Sequence, residues 1–134
     1  MKNIAIFILF IVLSSCAGNQ SLPPQEMVDI IRVEQNYPKK DLAIIQDKEK
    51  VKAVIDFVNS KQDGWSIPWY GPPVGKVYLK LYKEEKFVGN FYVGPYFFGR
   101  DFGNFWSQSA SKAEIASLGS LLGVNLLELI SAAE

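Results

Sequence analysis

"KVYLKLYKEEKFVGNFYV", residues 76–93, decides the fold. Val77, Leu79 and Leu81 alternate with Lys76, Tyr78, Lys80 and Tyr82, the period-two pattern of a strand with one apolar face. After Lys83-Glu84-Glu85-Lys86 the alternation resumes, with Phe87, Gly89, Phe91 and Val93 set against Val88, Asn90 and Tyr92. Two such runs joined by a short polar link make an antiparallel hairpin with one face buried. The link has no Asn-Gly pair, so a four-residue loop is expected rather than a tight two-residue turn. The opposite face, with Lys76, Tyr78, Lys80 and Tyr82, has two readings. It is either a solvated sheet surface or a mildly basic aromatic strip suited to an acidic partner or a glycan.

Something must cover the apolar face of that hairpin. Upstream, Val51, Val54, Ile55 and Val58 recur at helical spacing behind Asp47, which can cap the first amides, and Asn59 through Gly64 ends the run. The stripe is narrow, so a helix over 47–59 is expected to cover one face of a sheet. "MVDIIRVEQ" (27–35) reads as a strand, and "LAIIQ" (42–46) as a second short strand or the lead-in to the helix. Downstream, Ser111-Lys112-Ala113-Glu114 fits a capping box, with Ile115, Leu118, Leu121 and Leu122 as its stripe and Gly123 as its stop. Asn125 can cap a last short helix. The expected architecture is one α+β domain over 27–134. Its mainly antiparallel sheet has about four strands on one helix, and the C-terminal helices close an edge.

The chain has 134 residues, 14 basic and 14 acidic side chains, no histidine and one cysteine. The even charge balance, with no clustered basic face, gives no footprint for nucleic acid. Without histidine there is no His general base and no His metal ligand, and neither phosphate-loop nor dinucleotide fingerprints occur. The residues call for no metal and no cofactor. An enzyme would have to work with carboxylates, for example Asp101 with Glu84 or Glu85.

The N-terminus carries an address. Lys2 precedes an apolar run from Ile4 to Leu13, about 15 Å as a helix and too short for a ~30 Å hydrocarbon core. A positive end, a short apolar run and small residues make a secretory signal. Leu13-Ser14-Ser15-Cys16 resembles the lipobox of bacterial lipoproteins. That resemblance covers the targeting segment alone. It implies that residues 1–15 are a removed signal peptide and that Cys16 carries a diacylglycerol thioether and an acylated amino group. Three chains exceed the two anchoring signals that stable membrane attachment needs. Ala17 stands where an aspartate often retains lipoproteins in the inner membrane. In a two-membrane organism this implies the periplasmic face of the outer membrane. An ordinary cleaved signal followed by a chance cysteine is the other reading. Residues 16–26 read as the lipidated cysteine and a tether, with Pro23-Pro24 locally stiff. With the sole cysteine lipidated the domain has no disulfide, so its core alone must hold it.

Two stretches remain. "WSIPWYGPPVG" (65–75) is too proline-rich for a central strand and reads as an ordered loop or aromatic flap. "FYVGPYFFGRDFGNFW" (91–106) crowds rings and glycines, and its second half reads as another strand or a wide turn. As a platform these stretches would offer Tyr92, Tyr96, Phe98 and Trp106, with Trp65, Trp69 and Tyr70, to a partner, and Arg100 and Asp101 would supply polar contacts between the rings. As core they would bury Phe87, Phe91 and the other phenylalanines, which lack a polar tip. The expected task is binding, with another envelope protein as partner and a glycan or small ligand as the alternative.

Overall fold

A computed structural model describes residues 27–67, 71 and 73–131. The signal peptide, Cys16, the tether, Trp69 and Tyr70 lie outside the described residues. The elements run β1 (Ile30–Gln35), β2 (Lys40–Ile45), α1 (Lys48–Asn59), β3 (Val77–Lys83), β4 (Lys86–Gly94), β5 (Phe97–Asp101), β6 (Phe105–Ser109), α2 (Lys112–Leu122) and α3 (Leu126–Ser131). Among the described residues six strands, not four, form one sheet in the order β2-β1-β3-β4-β5-β6, with every neighbour antiparallel. The domain is α+β.

The helices begin and end where the sequence places their signals. The Asp47 carboxylate accepts from the Lys50 amide at 2.9 Å, and Val51, Val54, Ile55 and Val58 of α1 are buried. Ser111 and Glu114 close the capping box of α2 at 3.2 Å each way, and Gly123 stops the helix in left-handed backbone (φ 69°). Asn125 accepts from the Glu128 amide at 3.3 Å at the start of α3. The C-terminal helices do not close an edge. Ile115, Leu118, Leu122, Leu126 and Ile130 join the same core as α1 and the sheet's inner face. An apolar stripe says that a helix face is buried but not against what.

Register turns the sheet into two grids. On the helix side one row reads Ala43–Val33–Leu79–Phe91–Arg100–Trp106, and Ile31, Leu81, Val77, Val93 and Phe98 flank it. On the helix-free side one row reads Ile44–Arg32–Lys80–Asn90–Asp101–Phe105, and the next reads Asp41–Glu34–Tyr78–Tyr92–Gly99–Ser107. The β2 edge carries an irregularity at Leu42 and a charge at Lys40, both of which discourage pairing with another chain.

The 76–93 hairpin forms, with two corrections. Leu81 pairs with Gly89 but Tyr82 pairs with Phe87, so Val88 is an extra residue. One inserted residue moves everything beyond it to the other face. Phe87, expected in the core, is therefore 55% exposed and edge-on to Tyr82 at 5.7 Å. The turn is also tighter than expected. Lys83 pairs with Lys86, leaving Glu84 and Glu85 as its two central residues, with φ of 49° and 66°. Both lie in left-handed backbone, as a type I′ turn requires. The Asp29 carboxylate helps to hold this geometry by accepting from the Glu84 amide at 3.0 Å. Left-handed backbone costs an ordinary L-residue about 1–2 kcal/mol. Replacing the pair as Glu84→Asn with Glu85→Gly should therefore stabilise the domain by about 1–2 kcal/mol. The urea midpoint measures this, and no gain would mean that the turn is not the strained one described.

Candidate functional site

The residues singled out by sequence separate into two places. Trp65, Arg100 and Trp106 come together on the helix side near the β6 edge. Arg100 faces Trp106 across the β5–β6 ladder, and its guanidinium lies 4.7 Å from the centre of the Trp65 ring. That ring meets Phe91 edge-on at 6.4 Å, and its indole N–H donates to the Lys61 carbonyl. Arg100 is only 2% exposed, and burial pushes its guanidinium down to about 10, so it remains a cation at neutral pH. A planar cation sealed against an indole fixes the ring it covers. Ser66 and Ser107 exchange backbone hydrogen bonds at 2.9 Å, and the Gln108 amide donates to the Asp63 carbonyl at 3.2 Å. The start of the 65–75 loop is thus sewn to β6.

Tyr96 lies elsewhere. Pro95 and Tyr96 form the turn between β4 and β5, and Tyr96 has φ of 65° with 66% of its surface exposed. Proline followed by a left-handed residue is the pattern of a type II turn, whose second central position normally takes Gly or Asn. A bulky ring there is an outlier. The Tyr96 carbonyl accepts from the Ala110 amide at 2.8 Å, which ties the turn to the approach of α2. Between the turn and the two C-terminal helices lies a cleft of about 370 Å³, lined by Pro95, Tyr96, Lys112, Ile115, Leu127, Ile130 and Ser131. Leu127, 37% exposed, adds apolar surface, and Lys112 supplies the one charge among these residues. A larger groove of about 640 Å³ runs beside Ile44, Lys50 and Leu121, and none of the residues that the sequence offered for binding lines it. The Tyr96 cleft is the stronger candidate, because a strained, exposed aromatic stands at its mouth.

Two of the rings expected on a platform are enclosed instead: Phe98 lies in the core, and Tyr92 is buried on the helix-free face. Tyr92 points away from the helices yet is only 2% exposed. Its ring stacks on Tyr78 at 5.4 Å, meets Phe97 edge-on at 6.3 Å and lies across Gly99. The hydroxyl has no hydrogen-bond partner among the described residues. Burial, with smaller contributions from Tyr78 and Asp101, pushes the phenol up to about 12. The sequence did hold a signal, since a glycine opposite a ring in a strand invites that ring to lie over it. Gly94 under Phe97 and Gly89 under Phe102 repeat the device.

The carboxylates considered for chemistry are occupied or apart. Asp101 accepts from the Gly103 amide at 2.9 Å, while Glu84 and Glu85 stand exposed at the β3–β4 turn. Among the described residues no cluster of three acidic, His or Cys side chains could hold a metal, and no helix is long and apolar enough to cross a membrane. No protein-family model, curated protein or solved structure matches the chain, so no function is inherited from a relative.

Proposed function

We propose that the protein is a lipid-anchored envelope module that binds another envelope protein through the Tyr96 cleft. The observation that carries this is the backbone of Tyr96. A turn selected for folding alone would place glycine at φ 65°, and strain kept at a tip points to use of the side chain. Tyrosine is also one of the side chains enriched in binding hot spots. The address comes from Leu13-Ser14-Ser15-Cys16, which resembles a lipobox. The strands set the direction in which the cleft faces. Phe87, near the start of β4, neighbours Tyr82 and, through it, Ile30 at the start of β1. Tyr96 follows the other end of β4, roughly 25 Å along the strand. A domain tethered through the start of β1 therefore holds the cleft away from its anchor. A glycan would ask for several rings with polar groups converging on them, whereas this cleft sets one ring against Leu127 and Ile130.

The test starts with a photoreactive residue at Tyr96 in the full chain with Cys16 retained, which should yield one discrete crosslinked protein. Tyr96→Gly should then leave the domain as stable as the parent, or up to about 1 kcal/mol more stable, because glycine removes the left-handed strain. The same change should weaken binding of the captured partner at least about tenfold. Unchanged affinity in a folded Tyr96→Gly protein would falsify the proposal.

A further inference from the structure

We propose that the end of the sheet nearest the tether is a foot that rests at the headgroup level of a phospholipid bilayer. This rests on the reading of Cys16 as a lipid anchor. Three observations meet at that end. Met27, just before β1, is 51% exposed, and Phe87 is 55% exposed because the extra Val88 turns it out of the core. Ile30 pairs with Tyr82, and Tyr82 pairs with Phe87, so these three side chains form one row across the sheet at that end. Long cations frame the rings: Arg32 lies 5.6 Å from the centre of the Tyr82 ring, and Lys83 and Lys86 flank the turn. Aromatic rings bordered by long cationic side chains suit the headgroup boundary, where stems lie along acyl chains and charges reach the phosphates.

The sequence also fixes the distance. From Cys16 to Met27 the chain reaches at most about 40 Å even when fully extended. The foot is therefore held beside the surface that carries the lipid, at a high effective concentration. An apolar patch in that position gains by leaving water for the bilayer boundary. Electrostatics does not supply the attraction. Lys83, Lys86 and Arg32 are balanced by Glu84, Glu85 and Asp29, so the contact tolerates zwitterionic lipid and is insensitive to salt. It would turn Tyr96 toward the compartment.

The test uses the full lipidated chain in vesicles of phosphatidylethanolamine with a minority of phosphatidylglycerol. Intact mass first establishes the lipid on Cys16. Phe87→Cys and, separately, Tyr96→Cys then take a spin label, the lipidated thiol being blocked. Both positions are exposed, and matching circular dichroism keeps the comparison valid. The label at 87 should meet dissolved oxygen several-fold more, relative to a water-soluble nickel chelate, than the label at 96, with no change at high salt. Equal chelate access at both positions overturns the foot while leaving the anchor standing. Dipolar broadening at 87 that vanishes on dilution with unlabelled chain also overturns it, because a second copy then covers the patch. A mass without lipid removes the anchor and the foot together.

Discussion

Gly99→Val is expected to destabilise the domain by about 3 kcal/mol and to lower its Tm by about 10–15 °C. Gly99 pairs with Tyr92 across the β4–β5 ladder, and the Tyr92 ring lies on its Cα, so any Cβ there would stand inside the ring's van der Waals envelope. The ring has nowhere to go. Tyr78 stacks on it, Phe97 meets its edge, and Gly75 approaches so closely that a Cβ there too would lie 2.8 Å away. Overfilling a closed site costs about 1–3 kcal/mol, and a branched side chain under a fixed ring belongs at the top of that range. The clash is specific to one partner, which gives a sharp check. In a Tyr92→Ala background the same Gly99→Val change should cost about 1–2 kcal/mol less, as a double-mutant cycle by urea unfolding would show. Equal costs in the two backgrounds would sink the ring-over-glycine account.

That pairing also explains what could be read in advance. Period-two alternation in 76–93 and helical spacing after Asp47 are local signals, and both elements formed where expected. Ser111 to Glu114 and Gly123 are likewise local, because a cap is made by residues three or four apart. The losses are non-local or follow from one residue too many. Val88 looks like any strand residue, yet as the extra one it sends Phe87 into solvent. Glu84-Glu85 has no intrinsic preference for a type I′ turn, and Asp29, just before β1 and 55 residues away in sequence, takes part in holding it. β5 and β6 were half hidden, because Gly99 and Gly103 break the apolar pattern that marks a strand.

The candidate site was legible to the same degree. Tyr96 beside Pro95 could be placed in a loop from sequence, and it is exposed. Its neighbours in the cleft, Leu127 and Ile130, come from a helix some 30 residues away, which no local pattern announces. Arg100 and Trp106 fall in the inner row of the sheet because the register of β5 and β6 puts them there, and only tertiary pairing sets that register.

Tyr92 should also make the protein sensitive to alkali. An unfolded tyrosine releases its proton near pH 10, whereas burial holds that of Tyr92 until about 12. Between those values the unfolded chain binds fewer protons than the folded one, so stability falls as pH rises. The contribution is fully present below pH 10, and up to about 2–3 kcal/mol is lost by pH 12. Tyr92→Phe removes the titrating group and also a buried hydroxyl that has no partner among the described residues. At pH 8 that variant should be more stable than the parent by about 1 kcal/mol, since an unsatisfied polar group no longer has to be buried. The gap should then widen toward pH 12 by the amount that the parent loses. Every other ionisable group is common to the two proteins, so the difference between the two urea-unfolding curves isolates Tyr92. Parallel curves from pH 8 to 12 would mean that the phenol reaches water in the folded state and that the sheet does not enclose this ring.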